Sequence, residues 1–144
     1  MIHINEHTAP ILAQIHLESI DPPWSEDSFR SLLRLPTVFG FADSDFTTFV
    51  LWSVIADEAE ILTFATQTAF RRQGRGKDLL IKCFNYFFKQ KVKKFFLEVS
   101  ENNFAAIGLY KQLDFKKYGR RESYYINSAG QRSSAILMCR EHIK

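Results

Sequence analysis

Between residues 8 and 20 the apolar side chains Ile11, Leu12, Ile15 and Leu17 recur at helical spacing, and Thr8 stands where such a helix would be N-capped. Asp21-Pro22-Pro23-Trp24 ends that pattern. Ser25 then offers a second N-cap, with Glu26 and Asp27 at the positive end of a short helix and Phe29, Leu32 and Leu33 facing inward. Beyond this point the period changes. Residues 38–42, 47–55 and 60–66 are β-rich runs separated by the polar turns Asp43-Ser44-Asp45 and Asp57-Glu58, which predicts an antiparallel meander. Leu79, Leu80, Cys83, Phe84 and Phe87 return to helical spacing. Residues 94–99 read as a strand and 104–113 as a helix. Residues 115–126 and 133–140 read as a closing hairpin around Asn127-Ser128-Ala129-Gly130.

The resulting order is β-α-α-β-β-β-α-β-α-β-β. Strands occur both in runs and alternating with helices, so the expected α/β (α+β) fold is a mixed sheet flanked by helices. The 144 residues suit one domain, 1–144, and 46 % hydrophobic residues with 14 Phe supply a large core. Cys83 and Cys139 are too few for a disulfide framework, which fits a reducing, cytoplasmic setting. Neither a signal-peptide pattern nor a run of the ~20 apolar residues that a membrane helix needs is visible, so no membrane partner is expected. A net charge of +3 suits an acidic ligand or a ribosomal setting and does not argue for direct nucleic-acid binding. A monomer or weak dimer is expected.

The stretch Phe70-Arg71-Arg72-Gln73-Gly74-Arg75-Gly76-Lys77-Asp78 falls between the third strand run and the longest helix. A helix start leaves backbone N–H groups without partners and carries a partial positive charge. Glycines there let a bulky anion approach, and Arg71, Arg72, Arg75 and Lys77 add charge; phosphate or pyrophosphate is the indicated ligand. A Walker loop is excluded because Asp78 follows Gly76-Lys77, and a dinucleotide fingerprint because Leu79 occupies the third glycine position. An ordinary basic turn fits the bare spacing equally well.

Arg71-Arg72-Gln73-Gly74-Arg75-Gly76 resembles the acyl-CoA pyrophosphate motif, RxxGxG/A, of the GNAT acetyltransferase superfamily. The resemblance extends over nearly the whole chain. "DPPWSEDSF", "DEAEILTFAT", "LEVSENNFAAIGLYKQLDF" and "RRESYY" are similar, in order and spacing, to the RimI-like branch, which acetylates N-termini of ribosomal proteins. The resemblance implies a GNAT fold, a mostly antiparallel sheet of six or seven strands with about four helices. It implies acetyl-CoA as donor, no metal, and a protein or peptide N-terminus as acceptor, with ribosomal proteins among the candidates.

Acetyl transfer from a thioester to an amine needs a neutral amine and a proton for the departing thiolate. Strand alternation sets Phe95, Leu97 and Val99 on one face and Phe96 and Glu98 on the other. A carboxylate among apolar neighbours loses water and becomes a better base; taken alone, a solvated strand-end glutamate also fits. The resemblance implies that Glu98 is the general base, directly or through water, and that Tyr110 is the general acid. Tyr110 lies off the stripe Ala106, Leu109 and Leu113, free to face a cleft, although a packed tyrosine fits too.

Asn103 reads as an N-cap and, by resemblance, as a CoA contact. Phe64, Ala65 and Thr66 match the strand whose main chain pairs with pantetheine, and Gln73 belongs to the pyrophosphate loop. Trp24 and Ser25 resemble a substrate-side loop, with Tyr124 on the opposing hairpin. Cys83 reads as an inert core thiol, and His3, His7, His16 and His142 lack metal-ligand spacing. The family's Leu-Gly-Phe after the last helix reads Leu113-Asp114-Phe115 here, so Asp114 is expected to adopt a left-handed C-cap at a small cost in stability. A GNAT enzyme acting on a small-molecule amine or a lysine, and a non-catalytic acyl-CoA-binding module, are the alternatives.

Overall fold

The computed structural model describes residues 1–141, so His142 lies outside the described residues. The strands are β1 (Ile2–Ile4), β2 (Val38–Ala42), β3 (Thr48–Ile55), β4 (Glu58–Thr66), β5 (Lys94–Ser100), β6 (Lys116–Ile126) and β7 (Arg132–Glu141). The α-helices are α1 (Ala9–Ser19), α2 (Glu26–Leu33), α3 (Arg75–Lys89) and α4 (Phe104–Gln112). One seven-stranded sheet runs in the order β1-β2-β3-β4-β5-β7-β6. The predicted mixed sheet, meander and closing hairpin are all present. Boundaries move by a few residues, most at β4, which begins at Glu58 because the turn falls at Ala56-Asp57.

The core lies on both faces of the sheet. Under α3 and α4, Trp52 packs edge-on against Phe84, Phe87 and Phe95, with Leu80, Leu97 and Phe115 around them. Under α1 and α2, Leu12, Ile15 and Phe29 cover Phe49 and Leu51. In α1 the buried side is Ala9, Leu12, Ile15 and His16, whereas Ile11 and Leu17 face solvent, so the predicted apolar stripe is only half correct. Thr8 occupies the N-cap position, but its hydroxyl donates back to the Asn5 carbonyl instead of capping.

Two irregularities build the site. In β4 the pairing with β3 slips between Leu51/Thr63 and Trp52/Ile61, leaving Leu62 as an extra residue. This bulge reverses the pleat: Ile61 packs toward α3 and α4, while Ala65, four residues on, packs toward α1 and α2. Beside it, the parallel pair β4–β5 is held only from Glu58/Lys94 to Glu60/Phe96. Past Glu60 the two strands part, and the gap between them opens a cavity.

Candidate active site

The cavity has a volume of about 1330 Å³. Its floor is the parted edges of β4 and β5, including Phe64 and Glu98; Tyr110 of α4 and Asn103, the residue before that helix, line one side. Trp24 and the 21–23 loop stand opposite Tyr124, Tyr125 and the β6–β7 turn. At the tip of that turn Ser128 donates a hydrogen bond of 2.9 Å to the Asp21 carboxylate, joining the two walls. The turn itself is set by Asn127, whose side chain accepts from the N–H groups of Ala129 and Gln131, and by Gly130 at φ 79°.

Glu98 and Tyr110, far apart in the fold's elements, thus line one cavity. The alternation predicted for β5 holds: Phe95, Leu97 and Val99 are buried, and Glu98 lies on the other face. Its surroundings are more polar than predicted, because Arg121 on β6 forms an ion pair with it, Nε lying 3.0 Å from Glu98 Oε1. Oε2 has no partner among the described residues. Glu60, across the parallel pair, shares this wall; burial, and then the negative charge of Glu98, raise its pKa above the usual carboxylate range. Tyr110 is the most buried residue of α4, not a residue set apart from the packed stripe. Its ring lies between Phe64 (6.3 Å) and Phe115 (5.7 Å). Burial, with Tyr125 nearby, raises its pKa and holds it as the neutral phenol.

The glycine stretch lies outside this cavity's lining, at the N-terminus of α3. Gly74 is the N-cap at φ 77°, the left-handed region glycine tolerates. Gly76 is needed for space, since a Cβ there would sit 2.6 Å from Phe64 Cζ. The backbone N–H groups of residues 72–77 have no acceptor among the described residues. The cations divide. Arg75 turns inward to Thr47 (3.2 Å), Asp43 (3.6 Å) and Asp45 (3.8 Å), and Arg71 is bound to Ser19 and to the Thr66 carbonyl. Gln73 spans Ala69 and Arg75. Arg72 and Lys77 are exposed and make no ion pair among the described residues, so these two remain for a ligand. Of the predicted strand segment, Phe64 lines the cavity, while Ala65 and Thr66 do not.

Ser25 also departs from expectation. It caps α2, accepting from the Ser28 N–H at 3.1 Å, and does not reach the cavity. Trp24 lines the cavity but is half-buried against His16 (5.2 Å) and Phe29 (5.3 Å), not an exposed loop residue. Tyr124 lines the cavity and is 51 % exposed. Asn103 both caps α4, accepting from Ala106 N–H, and lines the cavity. Asp114 is left-handed at φ 66°, and Cys83 is buried with its thiol pushed up to about 12. No cluster of His, Cys, Asp or Glu suited to a metal occurs among the described residues, and no helix among them is long and apolar enough to cross a membrane.

Nothing in the sequence assigns a site role to Glu60, Arg121 or Tyr125, and His16 reads there only as one of four histidines without metal-ligand spacing. His16 is fully buried at the cavity. Its Nδ1 accepts from the Trp24 N–H at 2.8 Å, which places the proton on Nε2, donated to Thr63 Oγ1 at 2.9 Å. Burial lowers its pKa from 6.5 to about 4. Between these values only the unfolded chain takes up the proton. The contribution to stability is therefore complete above pH 6.5 and falls as pH drops toward 4, by about 3 kcal/mol. Urea unfolding at pH 4–7 should show a steeper decline for the wild type than for His16→Gln, in which this proton uptake is absent. Parallel curves would mean His16 titrates normally.

A parted parallel pair, a glycine-built helix start whose N–H groups at residues 72–77 have no acceptor among the described residues, and a carboxylate and a phenol lining one cavity make up the candidate site. The chain belongs to the GNAT acetyltransferase family: the model described as "Acetyltransferase (GNAT) family" matches residues 10–115. It is 34 % identical over 118 residues to the [ribosomal protein bS18]-alanine N-acetyltransferase of Escherichia coli K12, covering 81 % of this chain and 79 % of that one. The putative enzyme of the same name in Bacillus subtilis is 27 % identical over 129 residues, 87 % and 83 % of the two chains. The crystal structure of the Escherichia coli ribosomal-protein-S18-alanine N-acetyltransferase superposes with a TM-score of 0.88 at 29 % identity, over 97 % of this chain and 91 % of that one. NAA60 of Arabidopsis thaliana in complex with a bisubstrate analogue shares the fold, with a TM-score of 0.83 at 21 % identity over 96 % and 94 %. The chain is an N-acetyltransferase.

Proposed function

We propose that the protein transfers acetyl from acetyl-CoA to the α-amine at a protein N-terminus, a ribosomal protein of the S18 kind being the first acceptor to test. The observation that carries this reading is the convergence of Glu98 and Tyr110 on the cavity between β4 and β5. The residues present suit the donor: unpaired N–H groups of residues 72–77, with Arg72 and Lys77, would hold its pyrophosphate, and Phe64 and Asn103 would flank its arm. Acetyl-CoA supplies the activated thioester carbonyl.

The chain's own residues supply the proton movements. An α-ammonium has a pKa of ~8, so a carboxylate suffices to take its proton, directly or through one water. Arg121 holds Glu98 Oε1 and orients the carboxylate, leaving Oε2 toward the amine. Glu60 and Glu98 set two carboxylates against one guanidinium on this wall, an arrangement that attracts an ammonium group. Glu98 passes the ammonium proton on to solvent. The neutral amine nitrogen then bonds to the acetyl carbon as the C–S bond breaks, Glu98 receives the second proton from nitrogen, and Tyr110 gives its own to the departing sulfur and recovers one from solvent. No covalent acyl-enzyme is required.

The test follows free thiol release with peptides differing in their first residues, beginning with the N-terminus of a ribosomal S18 protein. Turnover on α-amines and none on the same peptides blocked at the N-terminus is expected. Turnover on polyamines or blocked lysine peptides alone would overturn the reading.

A further inference from the structure

Consecutive residues of a regular strand face opposite ways. Tyr124 and Tyr125 nevertheless line the same cavity, together with their neighbour Ile126. The register of β6 against β7 explains this. Arg121 pairs with Ala135 and Tyr125 with Ser133, so three β6 residues, 122–124, stand opposite the single residue Ser134. Ser123 takes up a positive φ of 49° within this excursion.

Such an excursion removes ladder hydrogen bonds, and the lost partners must be replaced. Ser134 replaces them. It is 4 % exposed. Its hydroxyl accepts from Ser123 N–H (3.1 Å) and Arg120 Nη2 (3.1 Å), and donates to Glu122 Oε2 (3.3 Å). A hydroxyl has one donor and two acceptor sites, so all are used. The Ser134 backbone is pinned as well: its N–H donates to Glu101 Oε2 (2.7 Å), and its carbonyl accepts from Glu101 N–H (2.9 Å). Glu101 in turn holds Arg120 (3.0 Å), which also binds Glu122 (2.7 Å).

We infer that Ser134, with Glu101 and Arg120, is a positioning device that holds the β6 excursion so that Tyr124 and Tyr125 together form the acceptor-side wall of the cavity. None of the three lines the cavity, so they act through the tyrosines. The inference rests on the reading that the acceptor occupies this side, with the donor toward α3 and α4.

The test is steady-state kinetics of the full chain with acetyl-CoA and an acceptor peptide found by the screen above. Ser134→Ala should raise KM for the peptide about tenfold, the scale of one lost hydrogen bond, with KM for acetyl-CoA within about twofold of wild type. Glu101→Ala, at a partly exposed side chain, should act likewise, and Glu101→Gln, which still accepts from Ser134 N–H, should restore most of the loss. A peptide KM equal to that of the wild type in both alanine variants, or no rescue by glutamine, would overturn the inference. Tyr124→Ala separates the two levels. A raised peptide KM there with unchanged Ser134→Ala and Glu101→Ala defeats only the positioning role. An unchanged peptide KM in Tyr124→Ala defeats the placement of the acceptor, and the inference with it.

Discussion

Tyr110→Phe should lower kcat by roughly 10²–10⁴-fold while leaving KM for acetyl-CoA and thermal stability close to wild type. The substitution removes one oxygen and keeps the ring that packs between Phe64 and Phe115. No hydrogen bond of the Tyr110 hydroxyl to the described residues is lost, so folding has little to lose. What disappears is a proton donor whose burial keeps it protonated well past neutrality. The departing thiolate would then have to leave unprotonated or take its proton from water, and that cost falls on the chemical step alone. Thiol release at saturating concentrations of both substrates measures it. An unchanged kcat would remove Tyr110 from the acid role, and a fall in stability to match would reassign it to packing.

The elements of this fold are legible because their periods are clean. β5 alternates without interruption, α3 carries five buried residues on one stripe, and Asn103 and Ser25 cap as their chemistry predicts. The site is legible only in its local parts. The bulge at Leu62 is hidden, because Glu60-Ile61-Leu62-Thr63-Phe64 contains no glycine or proline to mark it, yet it decides which way Phe64 faces. The excursion in β6 is hidden for the same reason: residues 116–126 read as one continuous strand, and the group that compensates the break is a serine on the next strand. Glu60 reads as the solvent face of a half-buried strand, and only the parting of β4 from β5 turns that face into a cavity wall.

Charge was the least legible property. Arg71 and Arg75 belong to the motif by spacing, but their guanidinium groups are bound within the chain, Arg75 by Thr47, Asp43 and Asp45 from the β2–β3 turn. Arg121 and Glu98 form a pair across strands that spacing along the chain does not announce. His16 looks like one more polar residue on a surface helix, and its burial follows from Trp24 and Phe29 closing over it.

Gly76→Val should abolish stabilisation by acetyl-CoA. With ligand at 100 times its Kd the wild type gains about 2.7 kcal/mol by mass action, read as a rise in melting temperature. At position 76 a Cβ would meet Phe64 Cζ at 2.6 Å and Thr66 Oγ1 at 3.4 Å. Relief requires either the first turn of α3 to lift from β4 or Phe64 to swing into the cavity. The first displaces the N–H groups of residues 72–77 and the second fills the space beside Tyr110, so both routes destroy the donor site. Gly74→Ala supplies the contrast. Its Cβ would meet nothing within 4 Å, but φ is 77°, so the expected cost is about 1 kcal/mol of backbone strain with the ligand-dependent rise retained. If the rise survives in Gly76→Val, the pyrophosphate is held elsewhere. If it is lost equally in Gly74→Ala, the requirement at this helix start is conformational, and the close approach of α3 to Phe64 is not what shapes the site.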